Sequence, residues 1–372
     1  MFLLADFLAC VRGGDIEEAA FAADGVAGTA AFLGLRASAL DRDDVDWRSL
    51  HHPGSVVWPV VLALGADLGV PAERAAQAAW NGYCAAATIA DALGADHRRT
   101  WHVTATAGTV GAAAAASVLL GLDASRRAVA LRLAVTNVGG LSRAATERRG
   151  AAAFNRAAAV TLGIVAARGA AAGASAVDDP LTGAGGLLEA MGGAPHGAGV
   201  PVRDGLDDVA PRPLPTSGFL QGVAFGVARA RSRLGGELVR LRVGLTGAVL
   251  PMVDGADAGP WWDARTTALR AWARAEAFLV DRPGPLDPRT DLVELVACDV
   301  PPGGAQVLAV TDRGRIEIHA GPMSLDDPGA QSLLERKWAE GPVRPDVDVL
   351  QLARSVLEGA VPLAYAMGQW RS

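Results

Sequence analysis

Lysine is almost missing from this 372-residue sequence, and cysteine and aromatic residues are scarce. The only lysine is Lys337, so the chain offers almost no amine for Schiff-base or general-base chemistry. Cys10, Cys84 and Cys298 lie far apart, a spacing that predicts neither a disulfide framework nor a zinc site. We therefore expect these cysteines to be small, buried and reduced, as is typical of a cytoplasmic protein.

Long apolar runs and basic clusters are also lacking. The apolar run from Ala112 to Leu120 is too short to cross a membrane, and the start of the chain lacks the basic segment of a signal peptide. The net charge is −6, with no basic stripe, so neither nucleic acid nor a membrane is an expected partner. No predicted strand precedes the glycine-rich segment Leu181–Gly193, which argues against a dinucleotide site.

What the sequence has is a large supply of small and apolar residues, with 51% hydrophobic residues and 45 glycines. Small side chains let helices approach closely, and the length favours two domains. Helical patterns cover most of the first 205 residues. The clearest are Pro71–Leu93, Thr109–Leu120, Ala128–Val135 and Asn155–Ala172.

The pattern changes after a segment rich in Gly, Pro and Asp, Gly192–Ser217, which we interpret as a linker and site-edge loop. Glu237–Gly244 alternates as a strand does, Val307–Thr311 and Arg315–His319 predict a β-hairpin, and Thr266–Val280 predicts a helix. Val347–Glu358 is helical again. The sequence thus predicts a mostly α fold, with a large all-helical domain (1–205 and 330–372) and a smaller α+β domain (206–329).

The first cluster that could carry chemistry joins carboxylates to a histidine pair. Asp41, Asp43, Asp44 and Asp46 come shortly before His51-His52. A carboxylate beside an imidazole can fix its tautomer and raise its pKa, which suits proton transfer near neutral pH. The alternatives are a solvated acidic loop with a structural histidine and, with less support because no further ligand set has a recognisable spacing, a metal site.

The second cluster is the segment Trp101–Thr109. His102 stands just before a predicted helix, whose N-terminal amides could hold an anion beside hydroxyls such as that of Thr104. The alternative is an ordinary N-cap loop.

The third cluster contains Arg148 and Arg149, followed by Asn155 and Arg156. Adjacent arginines can clamp a carboxylate through paired hydrogen bonds. Surface salt bridges are the alternative.

Two motifs resemble one known family. SALDRDDVDWRSLHHPGSVVWPVVLALG resembles the MmgE/PrpD stretch HALDFDDT followed, after a short gap, by HPGSVVLPAALALA. WHVTATAGTVGAAAAASVLLGL resembles the same family's FHPTGTAGTFGAAAAAARLLGL. The likeness extends from about Gly28 to about Ala360, through NVGGLSRAATERRG, APRPLP and the segment around VLAVTDRGRIEIHAG.

The resemblance implies a large helical domain with a smaller α+β lid, a homodimer, a small-molecule substrate bound between the domains, and no metal or organic cofactor. It also implies catalytic roles for four residues. Asp41 and Asp44 match the family's DFDD carboxylates, His52 matches the histidine of HPG, and His102 matches the histidine of FHPT. Trp101 and Thr104, which flank His102, are expected to line the substrate pocket.

The departures from the family pattern are equally specific. Arg149 stands where decarboxylase-type members carry a lysine, and Arg212 replaces the lysine that opens the KPYP-type element. Arginine binds carboxylates well but is a poor general acid or base. Val45 replaces a threonine, Val103 replaces a proline, and the lid's usual tyrosine is replaced near Trp272.

We therefore predict a cofactor-independent lyase or isomerase of a specialised biosynthetic pathway. His52 and His102 would share proton transfer next to a carbonyl or carboxylate, Asp41 and Asp44 would assist them, and the arginines would hold an anionic group. We expect both histidines and at least one of the two aspartates to converge at one cleft. A cyclase on the same fold and a non-catalytic scaffold remain alternatives.

Overall fold

The computed structural model describes residues 1–14, 25–146, 151–193, 199–214, 216–254, 262–274, 288–322, 330–339 and 347–368. The chain forms two compact units. Unit 1 comprises Met1–Ala39, Asp43–Pro211 and Trp338–Ser372, and unit 2 comprises Leu40–Arg42 and Arg212–Lys337. The domain limits given above, with a second domain at 206–329, stay a prediction beside this division.

The helices and strands of the first part of the chain are α1 (Phe2–Gly13), α2 (Gly25–Ser38), β1 (Val45–Asp46), α3 (Gly54–Leu68), α4 (Ala72–His97), α5 (Val103–Leu119), α6 (Ala124–Val135), α7 (Arg143–Thr146), α8 (Ala151–Ala171), α9 (Leu187–Ala190) and β2 (Val209–Ala210). Those that follow are α10 (Gln221–Leu234), β3 (Leu238–Leu245), α11 (Leu250–Val253), α12 (Ala264–Arg274), β4 (Val293–Ala297), β5 (Ala305–Thr311), β6 (Gly314–Ala320), α13 (Ala330–Ala339), α14 (Val349–Leu357) and α15 (Leu363–Gly368). Helices dominate the described residues, which confirms the predicted mostly helical fold with a smaller α+β part.

The helix α5 is the centre of unit 1 and is buried along its whole length. It packs against α3, α4, α6 and α8, and small residues make this close packing possible. A Cβ atom on Gly111 would lie 2.7 Å from the carbonyl oxygen of Gly82 in α4, and one on Gly163 in α8 would lie 2.4 Å from the Cβ atom of Ala112. The many alanines and glycines of the sequence therefore serve helix–helix contact, as the composition predicts.

Unit 2 contains a four-stranded sheet in the order β4-β3-β5-β6. The β3–β4 pair is parallel, whereas β3–β5 and β5–β6 are antiparallel. Alternate residues of β5 are buried, and α10 packs against β5 and β6 while α12 packs against β4. The core includes Leu241, Val243, Val307, Leu269 and Trp272.

The strands β3, β5 and β6 lie nearly where the alternating patterns predict them, whereas β4 and α10 are not among the predicted elements. The helix predicted at 266–280 begins earlier, at Ala264, and residues 275–280 lie outside the described part of the chain. Gly192–Ser217 contains only the short strand β2 among its described residues, which pairs antiparallel with β1. Across the ranges that the structure describes, no helix is both long enough and apolar enough to cross a membrane.

Candidate active site

The segments that carry His52 and His102 are joined by a direct hydrogen bond in unit 1. His52 lies two residues before α3, and His102 is the N-cap residue of α5. The backbone N–H of His52 donates to Oγ1 of Thr104, at 3.1 Å. Thr104 is buried in the first turn of α5, so its hydroxyl fixes one histidine segment against the other. Its predicted contact with substrate stays a prediction.

Asp44 is a buried carboxyl group held by donors on both oxygens. The backbone N–H of Gly54 donates to Oδ1 at 2.8 Å, and the hydroxyl of Tyr83 in α4 donates to Oδ2 at 2.6 Å. Burial, reinforced by the charges of Asp6 and Asp43, raises the pKa of Asp44 from 3.8 to about 7. Asp44 can therefore exchange a proton near neutral pH.

The approach of Asp44 requires a glycine at the start of α3. A Cβ atom on Gly54 would lie 2.6 Å from Oδ1 of Asp44, which is closer than such atoms come. The glycine of the HPG motif thus admits the carboxyl group to the helix N-terminus, where the backbone amide and the helix dipole favour negative charge. This offsets part of the cost of burying the carboxylate.

The ring of His52 faces two acceptors through its Nδ1 atom. Nδ1 lies 2.8 Å from the backbone carbonyl oxygen of Asp44 and 3.9 Å from Oδ2 of Asp43. Arg156 of α8, also buried, places a guanidinium nitrogen 3.6 Å from that same Asp43 oxygen. A carboxylate and an arginine thus support the side of the ring that faces the protein.

His102 is held by its backbone and by an amide side chain. The backbone N–H of His102 donates to the carbonyl oxygen of Gly140 at 2.8 Å. The ring atom Nδ1 lies 3.4 Å from Nδ2 of Asn155. Trp101 pairs with Leu141 as an isolated β-bridge and is half-buried. Its ring stacks on His97 with centroids 6.5 Å apart, so any substrate contact would use the remaining surface of the indole.

The first histidine of the pair, His51, belongs to a different network. It is completely buried, and its Nδ1 lies 2.8 Å from Oγ of Ser49. Burial lowers the pKa of His51 to about 4, although Asp46 opposes that shift. Arg203 lies 3.3 Å from that aspartate, so this network is charged and structural.

The remaining predicted residues are Asp41, Arg212 and Arg149. Asp41 and Arg212 belong to unit 2 and form an ion pair of 2.9 Å, with Arg212 almost completely buried. Asp41 has a φ of 51°, a left-handed conformation that aspartate tolerates better than most residues. Arg149 lies outside the described residues. The assignment of Arg149 and Arg212 to substrate binding stays a prediction.

Several residues of the cluster are missed as site residues by sequence reasoning. Tyr83 is not singled out, and Asp43, Asn155 and Arg156 are mentioned only as neighbours of the motifs. One signal is present for Tyr83: it stands in a helix of small residues, where a buried tyrosine hydroxyl needs a partner. The contacts of Asn155 and Arg156 depend on how α8 packs and leave no local pattern.

The same residues bear on cofactor binding. Both oxygens of Asp44 accept hydrogen bonds from the protein, and Asp43 lies beside Arg156. Within the described ranges, no group of three or more His, Cys, Asp or Glu side chains is arranged to hold a metal ion. The chemistry that this cluster itself offers is proton transfer by imidazole and carboxyl groups.

The described residues form a mostly helical protein with a histidine–carboxylate cluster in unit 1. Residues 23–197, just under half of the chain, match the family model of the MmgE/PrpD N-terminal domain. No curated protein matches the chain. This match supports membership of the MmgE/PrpD family, which the motifs predict. Members of this family are generally dehydratases and other lyases, so the match supports, in coarse terms, an enzyme.

Proposed function

We propose that this protein is a cofactor-independent lyase or isomerase that removes a proton from a carbon next to a carbonyl or carboxylate group of a small molecule. The observation that carries the proposal is the hydrogen bond from His52 to Thr104, which joins the two motif histidine segments. The buried Asp44 contacts the His52 ring through its carbonyl oxygen. Two imidazoles and one carboxyl group with a pKa of about 7 form a set suited to acid–base chemistry near neutral pH.

The proposed reaction has two proton transfers. One imidazole takes the proton from the activated carbon, and the other donates a proton to the leaving group or returns one to carbon. Asp44 would orient the ring of His52 through its carbonyl oxygen, which faces Nδ1. Arg149 and Arg212 would hold an anionic group of the substrate, since the guanidinium fork matches carboxylate geometry.

The proposal extends to the assembly. We expect a homodimer acting on a small molecule, as the family resemblance implies, and a role in a specialised biosynthetic pathway. Arginine replaces lysine at both family positions, which removes two groups able to exchange protons and keeps their positive charge. This substitution favours a substrate bound, but not protonated, at those positions.

The test separates the histidine role from the arginine role. His102→Ala should lower kcat by about 10²–10⁴-fold with a modest change in KM, since a general acid or base contributes in that range. Arg149→Ala should raise KM more than it lowers kcat, because the predicted contact exists in the ground state as well. Arg149→Lys should recover part of the binding.

The measurement is steady-state kinetics of wild type and variants with a substrate that the wild type converts. The melting temperature of each variant serves as the folding control. A purely structural role predicts that each change alters the melting temperature and leaves the kinetics of the folded fraction unchanged. Near-normal kcat in a well-folded His102→Ala protein would remove His102 from the mechanism.

A further inference from the structure

The two motif histidines have Nδ1 partners of opposite kind, and this difference bears on their roles. A neutral imidazole carries one proton, so the nitrogen that donates determines which nitrogen keeps a lone pair. His52 and His102 both lie in unit 1, and the Nδ1 atoms of both rings contact protein groups.

Both groups described beside Nδ1 of His52 can only accept. A backbone carbonyl oxygen has no proton, and the oxygen of Asp44 lies 2.8 Å from Nδ1. The carboxylate oxygen of Asp43, 3.9 Å away and beside Arg156, favours positive charge on the same side of the ring. Nδ1 of His52 therefore carries the proton and donates it to the carbonyl oxygen. In the neutral ring, the lone pair then lies on Nε2.

The amide of Asn155 donates to Nδ1 of His102. The amide of Asn155 also contacts the backbone carbonyl oxygen of Leu141, at 3.3 Å. Because that carbonyl only accepts, the amide atom facing it is Nδ2, the NH₂ group. The same Nδ2 lies 3.4 Å from Nδ1 of His102, so Nδ1 accepts a weak hydrogen bond. In the neutral ring, the proton then lies on Nε2.

We infer that the Asp44 carbonyl and Asn155 hold the two histidines in opposite tautomers, so that His52 presents a lone pair on Nε2 and His102 presents a proton on Nε2. This inference rests on the proposed function and deepens it: His52 is the base that takes the proton from carbon, and His102 is the acid that donates one. Asn155 is a positioning residue, which acts through the ring of His102.

The proton positions can be measured without any substrate. Protein labelled with ¹⁵N at histidine, in a long-range ¹H–¹⁵N correlation spectrum at a pH where both rings are neutral, reports which nitrogen is protonated. His52→Gln and His102→Gln each remove one ring's signals and so assign them. We expect the proton on Nδ1 of His52 and on Nε2 of His102. Finding the same tautomer in both rings would overturn the inference.

Asn155→Asp provides the decisive variant. A carboxylate accepts where the amide donates, so the proton of His102 should move from Nε2 to Nδ1 while the signals of His52 stay unchanged. Asn137→Asp is the matched control, because the amide of Asn137 contacts Leu133 and Thr136 on the surface. It should alter neither ring. An unchanged His102 tautomer in Asn155→Asp would contradict the role of Asn155.

The spectra and the kinetics can fail separately. If the tautomers are opposite and Asn155→Asp moves the proton, but His102→Ala turns over normally, the tautomer assignment stands and the proposed function is wrong. If His102→Ala loses turnover while Asn155→Asp leaves the spectrum unchanged, the proposed function stands and this inference is wrong.

Discussion

Asp44 is completely buried and lies close enough to Asp6 and Asp43 to feel their charges. Its pKa is about 7 in the folded protein, against an ordinary value of 3.8, so the folded state binds its proton more tightly than the unfolded state. The stabilisation from this group is therefore complete below about pH 4 and is lost as the pH rises through about 7.

Asp44→Asn should remove this pH dependence. The free energy of unfolding of the variant, minus that of the wild type, should rise by on the order of 3 kcal/mol between about pH 4 and pH 7. Urea unfolding over a pH series measures it. A difference that stays flat over this range would show that Asp44 ionises normally in the folded protein.

His51 should show the opposite sign. Its pKa is about 4 in the folded protein against 6.5 ordinarily, so the unfolded state binds the proton more tightly and stability rises as the pH increases from about 4 to 6.5. His51→Gln lacks this gain, so its stability relative to the wild type should fall over the same interval. If the free energies of unfolding of variant and wild type changed in parallel with pH, the ionisation of His51 would not contribute to the pH dependence of stability.

Tyr83 offers a test of the hydrogen bond on Asp44, with a matched control. Tyr83→Phe removes a donor from a buried carboxyl group and should lower the free energy of unfolding by about 1.5–3 kcal/mol at alkaline pH. Because that bond favours the ionised form, the variant should also raise the pKa of Asp44 further. The other tyrosine, Tyr365, is exposed, and Tyr365→Phe should stay within about 0.5 kcal/mol of the wild type. Equal effects in the two variants would contradict the assignment.

Among individual residues, sequence reasoning singles out those that stand in motifs and misses those whose contacts depend on packing. His52, His102 and Asp44 are conspicuous because they cluster along the chain. Asn155 meets His102 only because α8 packs against α5. Asp41 is grouped with Asp44 by its place in the sequence, yet it lies in unit 2, paired with Arg212.

Between elements, the contact of α5 with α8 depends on one glycine. A Cβ atom on Gly163 would lie 2.4 Å from the Cβ atom of Ala112 and 2.7 Å from the backbone nitrogen of Ala113. Since both neighbours are fixed in a buried helix, Gly163→Ala must push the two helices apart. We expect a loss of about 1–3 kcal/mol in the free energy of unfolding.

Gly169 provides the control on the same helix. A Cβ atom there would meet nothing closer than 3.7 Å, so Gly169→Ala gains helix propensity at no steric cost and should stabilise by about 0.5–1 kcal/mol. Chemical denaturation of both variants measures the contrast. If Gly163→Ala were as stable as Gly169→Ala, the close approach of α5 and α8 would be wrong.

Helices and strands are predicted correctly where the hydrophobic periodicity is strong and the turn between two strands is short. The hairpin of β5 and β6 is predicted because its two strands are separated by only two residues, Asp312 and Arg313. The strand β4 is missed because its burial pattern does not alternate, and it pairs in parallel with β3, distant along the chain. The helix α10 is missed although Val223, Val227 and Ala230 recur at a helical spacing and arginines stand in its last turn.

For the whole molecule, the sequence predicts the mostly helical architecture and the family, because both depend on composition and on long motifs. It predicts domain limits less directly, because the second unit also takes in Leu40–Arg42 from an early segment of the chain. The assignment of these three residues to unit 2 depends on the contacts of the folded chain, which no local sequence pattern shows. Within unit 1, packing likewise joins two motifs that the sequence contains, through the hydrogen bond from His52 to Thr104.

The last prediction concerns the intact protein and its independence of metal ions. The carboxyl oxygens of Asp44 accept hydrogen bonds from Gly54 and Tyr83, and Asp43 lies beside Arg156, so protein donors already serve the groups that would otherwise attract a cation. Proton transfer by the two imidazoles needs no further ligand. Turnover should therefore survive exhaustive treatment with EDTA, with kcat, KM and melting temperature unchanged. Loss of turnover that zinc or magnesium restores would show that the proposed mechanism is wrong, whereas loss with a lowered melting temperature would point to a structural ion.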